Sequence, residues 1–210
     1  MATAKQNAET IIAQVLALPQ APGRRLVALA GPPAAGKSTV AEMVQRGLTD
    51  RGLPTGLLPM DGFHMDNSAL DDLGLRSRKG APETFDLQGL QKTLQQLSVQ
   101  PEVPVPTFDR IQDRTVPNAQ IIGDEQAHVV VEGNYLLLDE EGWRDLSKFW
   151  DFSVLFQVPL KKLEARLVAR WTELGHPEAE ALVRARTNDI PNARRVMHAR
   201  MPSSLVLGAA

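Results

Sequence analysis

Cysteine is absent from the 210 residues. That excludes disulfides, thiol nucleophiles, iron–sulfur clusters and Cys-ligated zinc, and it suits a reducing cytoplasm. Long apolar runs are missing too. Stretches such as Leu26 to Ala30 and Leu136 to Leu138 fall far short of the roughly 18 residues that a membrane span needs. Excess charge of either sign is also lacking: 23 Lys plus Arg against 25 Asp plus Glu leave a net charge of −2, so no general force draws the chain to nucleic acid or anionic lipid. Neither a nucleic acid nor a membrane is expected as partner. Internal repeats and low-complexity tracts are absent as well. A chain of this length makes one domain with a sizeable core, since an ordinary domain takes roughly 150 residues.

Residues Ala4 to Leu18 space their apolar side chains with a helical period. Ile11 to Leu18 is apolar enough to suggest a signal peptide, but Gln14 interrupts the run, Glu9 borders it and no cleavage pattern follows, so an amphipathic first helix is expected. The cluster Pro19-Gln20-Ala21-Pro22-Gly23 closes this segment of helix and linker, over residues 1–22. Arg25 to Ala30 then reads as a strand, 31–36 as a loop and Ser38 to Arg51 as a helix. Gly56 to Met60 reads as a second strand, and the stretch to Phe85 as loop. Asp86 is placed to cap a helix running to Val99, and Pro101, Pro104 and Pro106 keep the following chain extended and out of a central strand. His128 to Val131 and Phe152 to Val158 are further strands flanking a short helix around Trp143 to Phe149. From Pro159 the pattern is helical to about Arg200, broken near Gly175-His176-Pro177 and Pro191, and Ser204 to Leu207 is a last strand. Strands alternating with helices imply an α/β domain with a parallel sheet in three layers.

The loop carries chemistry. Gly31-Pro32-Pro33-Ala34-Ala35-Gly36-Lys37-Ser38 matches G-x-x-x-x-G-K-[ST] at every defined position, and Thr39 follows. It stands between a strand and a helix, where backbone N–H groups and the helix N-terminus converge on polyphosphate. Gly31 and Gly36 let the backbone approach, with Ala34 and Ala35 between them; Lys37 neutralises β- and γ-oxygens; the Ser38 hydroxyl completes a Mg²⁺ shell. Binding of a nucleoside triphosphate with magnesium is expected. Kinase, ATPase and GTPase are not separated by this motif.

Ligands of open α/β sheets bind beyond the carboxyl ends of the strands. Two carboxylates stand there, Asp61 after the second strand and Glu132 after His128 to Val131. Transfer to a hydroxyl needs one carboxylate to orient and deprotonate the nucleophile and another at the metal. On spacing alone, an Asp-Gly turn accounts for Asp61 equally well, and a strand-end turn for Glu132.

Longer blocks go further. Met60-Asp61-Gly62-Phe63-His64, Asn67, Leu70, Gly74-Leu75, Arg78-Lys79-Gly80, Pro82-Glu83-Thr84-Phe85-Asp86 and Val131-Glu132-Gly133-Asn134 resemble the P-loop kinase family of uridine kinase, phosphoribulokinase and bacterial pantothenate kinase. The resemblance spans about Leu26 to Val206, with the look of short bacterial proteins provisionally named fructose-transport-system kinases. It implies a P-loop nucleoside triphosphate hydrolase fold with a helical lid over about 159–200, ATP and Mg²⁺ as cofactors, Asp61 as catalytic base and Glu132 with Ser38 at the metal. It implies an acceptor site around Asp61, Phe63, His64, Arg78, Lys79, Phe85, Asp86 and Asn134. Phe108-Asp109-Arg110 stands where relatives carry a Tyr- or His-containing acceptor stretch, so Phe108 and Arg110 are acceptor candidates of a different type and the acceptor's identity does not carry over.

Between Lys161 and Arg200 nine Lys or Arg meet five Asp or Glu, a local balance of +4. Arg166 and Arg170 share a helical face, placed to swing onto a transferring phosphoryl group as a lid closes, and the resemblance implies the same. Arg184, Arg186, Arg194 and Arg195 are weaker candidates beside a solvated helix face. Only Trp171 adds an aromatic to this charge, which argues against nucleic-acid binding. His64, His128, His176 and His198 lack metal-ligand spacing, no Gly-x-Ser-x-Gly elbow occurs, and no Asn-Lys-x-Asp pattern points to guanine. The sequence thus reads as a single-domain kinase for a small metabolite such as a sugar, nucleoside or pantothenate-like compound, with a homodimer as a candidate assembly. The rival is an ATP-binding switch or ATPase acting on a protein partner. A closed, polar, sugar-sized cavity between Asp61 and Asp86 separates the two.

Overall fold

The computed structural model describes residues 2–20 and 22–208; Ala21 of the proline-rich linker lies outside the described residues. Helix α1 (Ala4–Leu16) starts at a reciprocal cap in which the Thr3 hydroxyl accepts from Gln6 N–H and the Gln6 side chain accepts from Thr3 N–H. It ends two residues before the expected Leu18, which closes instead on the Val15 carbonyl. Ile11, Ile12 and Val15 bury its apolar stripe against α2 (Lys37–Thr49).

Five strands form one parallel sheet in the order β2-β5-β1-β6-β7: β1 (Arg25–Ala30), β2 (Thr55–Pro59), β5 (His128–Gly133), β6 (Phe152–Gln157) and β7 (Leu205–Gly208). Their residues alternate between two cores. Leu26, Ala28, Ala30, Val129 and Val131 face α4 (Leu87–Val99), which follows the short α3 (Asn67–Asp72), while Val27, Leu29, Val130, Val154 and Phe156 face α1, α2 and α5 (Leu160–Glu173). A strand buried on both faces has to be apolar throughout, as β1 is from Leu26 onward. This is the expected three-layer arrangement.

Register sets the site. Ala30 lies opposite Gly133, and Pro59 opposite Glu132, so β1, β2 and β5 end level. The phosphate loop, Asp61 and Glu132 therefore emerge along one edge of the sheet. Met60 already belongs to a short 3₁₀ turn, Met60–Phe63, and Asp61 sits in that turn rather than on the last strand residue.

Outside the central sheet, β3 (Val103–Asp109) and β4 (Arg114–Ile122) make an antiparallel ribbon with a register shift between Val105 and Thr107. Pro104 and Pro106 fit because a two-stranded ribbon has an outward edge, where a missing N–H breaks no ladder bond. The sequence pattern does not single out β4, whose residues are mostly exposed on both faces. Beyond α5 come α6 (Glu178–Arg184), a π-helical turn at Ala185–Asp189 and α7 (Ile190–His198). Pro191 does not break the helix as expected: it occupies the first turn of α7, where its lacking N–H costs little, and the widened turn precedes it.

Arg24 ties the far edge together. Its guanidinium donates to five carbonyls, those of Gln126, Leu97, Gln100, Pro101 and Gly123, at 2.8–3.0 Å. Arg24→Met strips all five acceptors of their donor and is expected to cost about 2 kcal/mol in urea unfolding. A loss below about 0.5 kcal/mol means water replaces the guanidinium without penalty.

Candidate active site

The loop after β1 is shaped by its backbone. Gly31 has φ +153°, and a Cβ there would stand 2.8 Å from the Phe156 carbonyl oxygen. Ala34 at φ +60° and Gly36 at φ +85° turn the chain so that α2 begins at Lys37 with its N-terminus at the loop. Such a helix start attracts anions. Lys37 is 6% exposed and donates to the Pro32 carbonyl at 2.9 Å and to Asn134 Oδ1 at 2.8 Å. Burial pulls its pKa down to about 8 against the pull of Glu132 and Asp61.

Ser38 Oγ donates to Glu132 Oε1 at 3.0 Å. Burial raises the Glu132 pKa, with the Lys37 ammonium opposing it. Among the described residues no group of three His, Asp or Glu could cage a metal by itself. The hydroxyl and carboxylate are hard oxygen donors, and a pair of them suits Mg²⁺, which takes its other ligands from phosphate and water.

Asp61 faces the same cavity of about 710 Å³ as Lys37, Ser38 and Glu132. Its Oδ2 accepts from Arg110 Nη2 at 2.6 Å, and His64 Nε2 lies 3.9 Å from its Oδ1. The His64 ring stacks on Phe85, with centroids 4.1 Å apart, and tilts against Phe108 at 4.7 Å. Burial depresses its pKa to about 4, so the imidazole is neutral at pH 7. Lys79 Nζ is held by Asn67 Oδ1, the Asp113 carbonyl and Asp113 Oδ1.

The helical segment supplies the opposite wall. Arg170 lines the cavity, its pKa lowered by burial. Trp171 Nε1 donates to Asp189 Oδ2 at 2.7 Å, and Arg184 lies 4.2 Å over the Trp171 ring. Asn188 Nδ2 bonds the Lys79 carbonyl at 2.9 Å, tying this segment to the loop that carries Lys79.

Most expected residues converge here, from Ala34 through Thr39 to Asp61, His64, Lys79, Phe85, Phe108, Arg110, Glu132, Asn134 and Arg170. Others are placed differently. Phe63 packs into the core, 6% exposed. Asp86 caps α4 through Gly89 N–H and does not line the cavity, so the cavity opens beside Asp61 without reaching Asp86. Arg78 pairs with Glu83 and Asn192, and Arg166 donates to the Ala34 carbonyl of the phosphate loop, while Asn134, inside the cavity, engages Lys37. The spacing pattern overlooks Trp171, Asp113 and Asp189, since each gains its place from a partner distant in sequence.

A strand, a glycine-shaped anion loop ending on a helix, a buried lysine and a Ser–Glu pair together define a P-loop nucleotide-binding protein. Residues 26–176 match the Phosphoribulokinase / Uridine kinase family, and the chain belongs to that family of small-molecule P-loop kinases. The Escherichia coli K12 protein YggC, itself uncharacterized, is 40% identical over 188 residues, covering 88% of this chain and 77% of its own length. A Schizosaccharomyces pombe protein provisionally named uridine kinase C227.14 is 30% identical over 180 residues, covering 80% and 76%. A Silicibacter sp. TM1040 crystal structure, provisionally named a fructose transport system kinase, superposes with TM-score 0.91 at 43% identity over 99% of this chain and 100% of that one.

His64 yields a stability test. Its pKa is about 4 when folded, against about 6.5 in an unfolded chain, so unfolding takes up a proton between these values and stability falls as pH drops through that window. Unfolding free energy is expected to decline by about 2 kcal/mol more from pH 7 to pH 5 than in His64→Phe, which keeps an aromatic ring and removes the titration. Parallel urea curves for both proteins at both pH values would contradict the assignment.

Proposed function

We propose that the protein transfers the γ-phosphoryl group of ATP to a hydroxyl of a small metabolite. A sugar such as fructose, a nucleoside or a pantothenate-like compound represents the acceptor class. The observation that carries the reading is Asp61, a carboxylate in the same cavity as the buried Lys37 and the Ser38–Glu132 pair. A nucleotide switch has no hydroxyl to activate and no need of a base there.

ATP supplies the phosphoryl group, and magnesium, when bound, would neutralise charge on its oxygens. Lys37, steered by Asn134 and Pro32, would hold phosphate oxygens, while Ser38 and Glu132 would hold the metal. Asp61 takes the acceptor's hydroxyl proton as the acceptor oxygen bonds to the γ-phosphorus. The bond to the bridging oxygen breaks, and its electron pair leaves on ADP. Arg170 offsets charge on the transferring group, and Arg166 reaches the same loop through the Ala34 carbonyl. Among the described residues no helix is long and apolar enough to cross a membrane.

Asp61→Asn keeps size and hydrogen bonding but removes the base. Single-turnover transfer from labelled ATP is expected to fall by roughly 10² to 10⁴ while ATP binding by calorimetry survives. Transfer at the parent rate makes Asp61 a turn residue and removes the support for the reading. Arg170→Met is expected to lower kcat by roughly 10² with a smaller change in ATP affinity, because the charge it meets develops in the transition state. Loss confined to ATP affinity reassigns Arg170 to ground-state binding.

A further inference from the structure

The tip of the β3–β4 ribbon leans on the cavity through two ion pairs, Arg110 with Asp61 and Asp113 with Lys79. The tip has a defined shape: Asp109 Oδ1 accepts from the N–H groups of Ile111 and Gln112, and Asp113 stands at φ +50°. The two pairs are not alike. Lys79 has three acceptors for three ammonium protons, and its side chain is 13% exposed, so its bonding is complete. Among the described residues Arg110 hydrogen-bonds to Asp61 alone, and its side chain is 52% exposed. A guanidinium has five N–H donors in a planar fork suited to a carboxylate or phosphate.

The carboxylate that Arg110 holds is the one the proposed reaction needs as base. The pair takes up Asp61 Oδ2, one of the two oxygens that an incoming hydroxyl could meet. An acceptor bearing its own anionic group resolves the conflict, because that group seats in the Arg110 fork and leaves Asp61 to receive the hydroxyl. Since the guanidinium touches Asp61, the anion and the reacting hydroxyl lie within a few bonds of one another. The neighbouring wall fits a carbon skeleton. Phe85 and Phe108 flank His64, whose imidazole is neutral and does not compete with Arg110 for the anion.

We infer that Arg110 is the receptor for an anionic group on the acceptor, and that the substrate is a hydroxy compound carrying a carboxylate or phosphate near the hydroxyl it offers. In the absence of substrate Asp61 fills that seat. The inference rests on the kinase reading and specifies its substrate class.

Matched compounds that differ by the anion test it: glycerate against glycerol, and ribose 5-phosphate against ribose. Each is titrated with Mg²⁺ and a non-hydrolysable ATP analogue, then offered with ATP. In at least one pair the anionic member is expected to bind about tenfold tighter or more, and the pair in which this occurs tells carboxylate from phosphate. In Arg110→Gln the preference is expected to shrink to about threefold or less, with Arg110→Lys between. Equal or tighter binding of the neutral members overturns the inference. So does an Arg110→Gln variant that weakens both members alike, or a parent protein that binds the nucleotide analogue but none of the anions. The kinase reading fails separately: an anion bound through Arg110 yet gaining no phosphate from ATP removes that reading, whereas a neutral compound phosphorylated regardless of Arg110 removes this inference alone.

Discussion

A buried ammonium is the constraint on which the site depends. Lys37, the first residue of α2, is 6% exposed, and among the described residues its ammonium is held by the Pro32 carbonyl and the Asn134 side chain rather than by a bonded carboxylate. An isolated charge in such a place is costly unless an anion is meant to join it. The surroundings serve that purpose. Gly31 brings the loop against Phe156 on β6, Gly36 turns the chain into α2, and Glu132 receives Ser38 beside the lysine. The neighbouring strands end level because their registers align, and this puts a carboxylate, a hydroxyl and an amide within reach of one loop.

The cavity wall around Lys79 and Phe85 is held from two sides. Within the domain, Tyr135 OH donates to the Gly80 carbonyl, and Phe85, Tyr135 and Trp143 pack edge to face beneath it. From the helical segment, Asn188 holds the Lys79 carbonyl and Arg195 bonds both Glu140 and Glu83. The Glu140 hydrogen bond is the leading influence raising the Arg195 pKa. The α7 segment therefore joins the core, through Ile190, Ala193 and Val196, to the loop that carries Lys79. Arg195, a weak candidate for catalysis from its position in a cationic run, is in place a structural tie. Arg184 instead stacks on Trp171 at the cavity wall.

Local pattern made the anion loop legible. Its glycines, lysine and serine are consecutive, and their function follows from the backbone between one strand and one helix. The same holds for the parallel sheet, whose buried strands must be apolar on both faces. The resemblance put Phe63 and Asp86 at the acceptor site, whereas Phe63 faces the core and Asp86 makes the helix cap that its local pattern predicts, because a family-like block does not say which of its side chains line a cavity. The β4 strand escaped notice because a ribbon exposed on both faces needs no alternating pattern.

Sequence by itself thus determined the α/β class, the anion loop and the strand-end positions of Asp61 and Glu132, since each depends on neighbours a few residues away. Only tertiary structure decided which groups meet. Lys37 finds Asn134 at a separation of 97 residues, Arg110 finds Asp61 at 49, and Arg195 finds Glu140 at 55. Periodicity and spacing carry no information about such pairs, because closing those loops is the work of the packed sheet and helices rather than of any local preference of the chain.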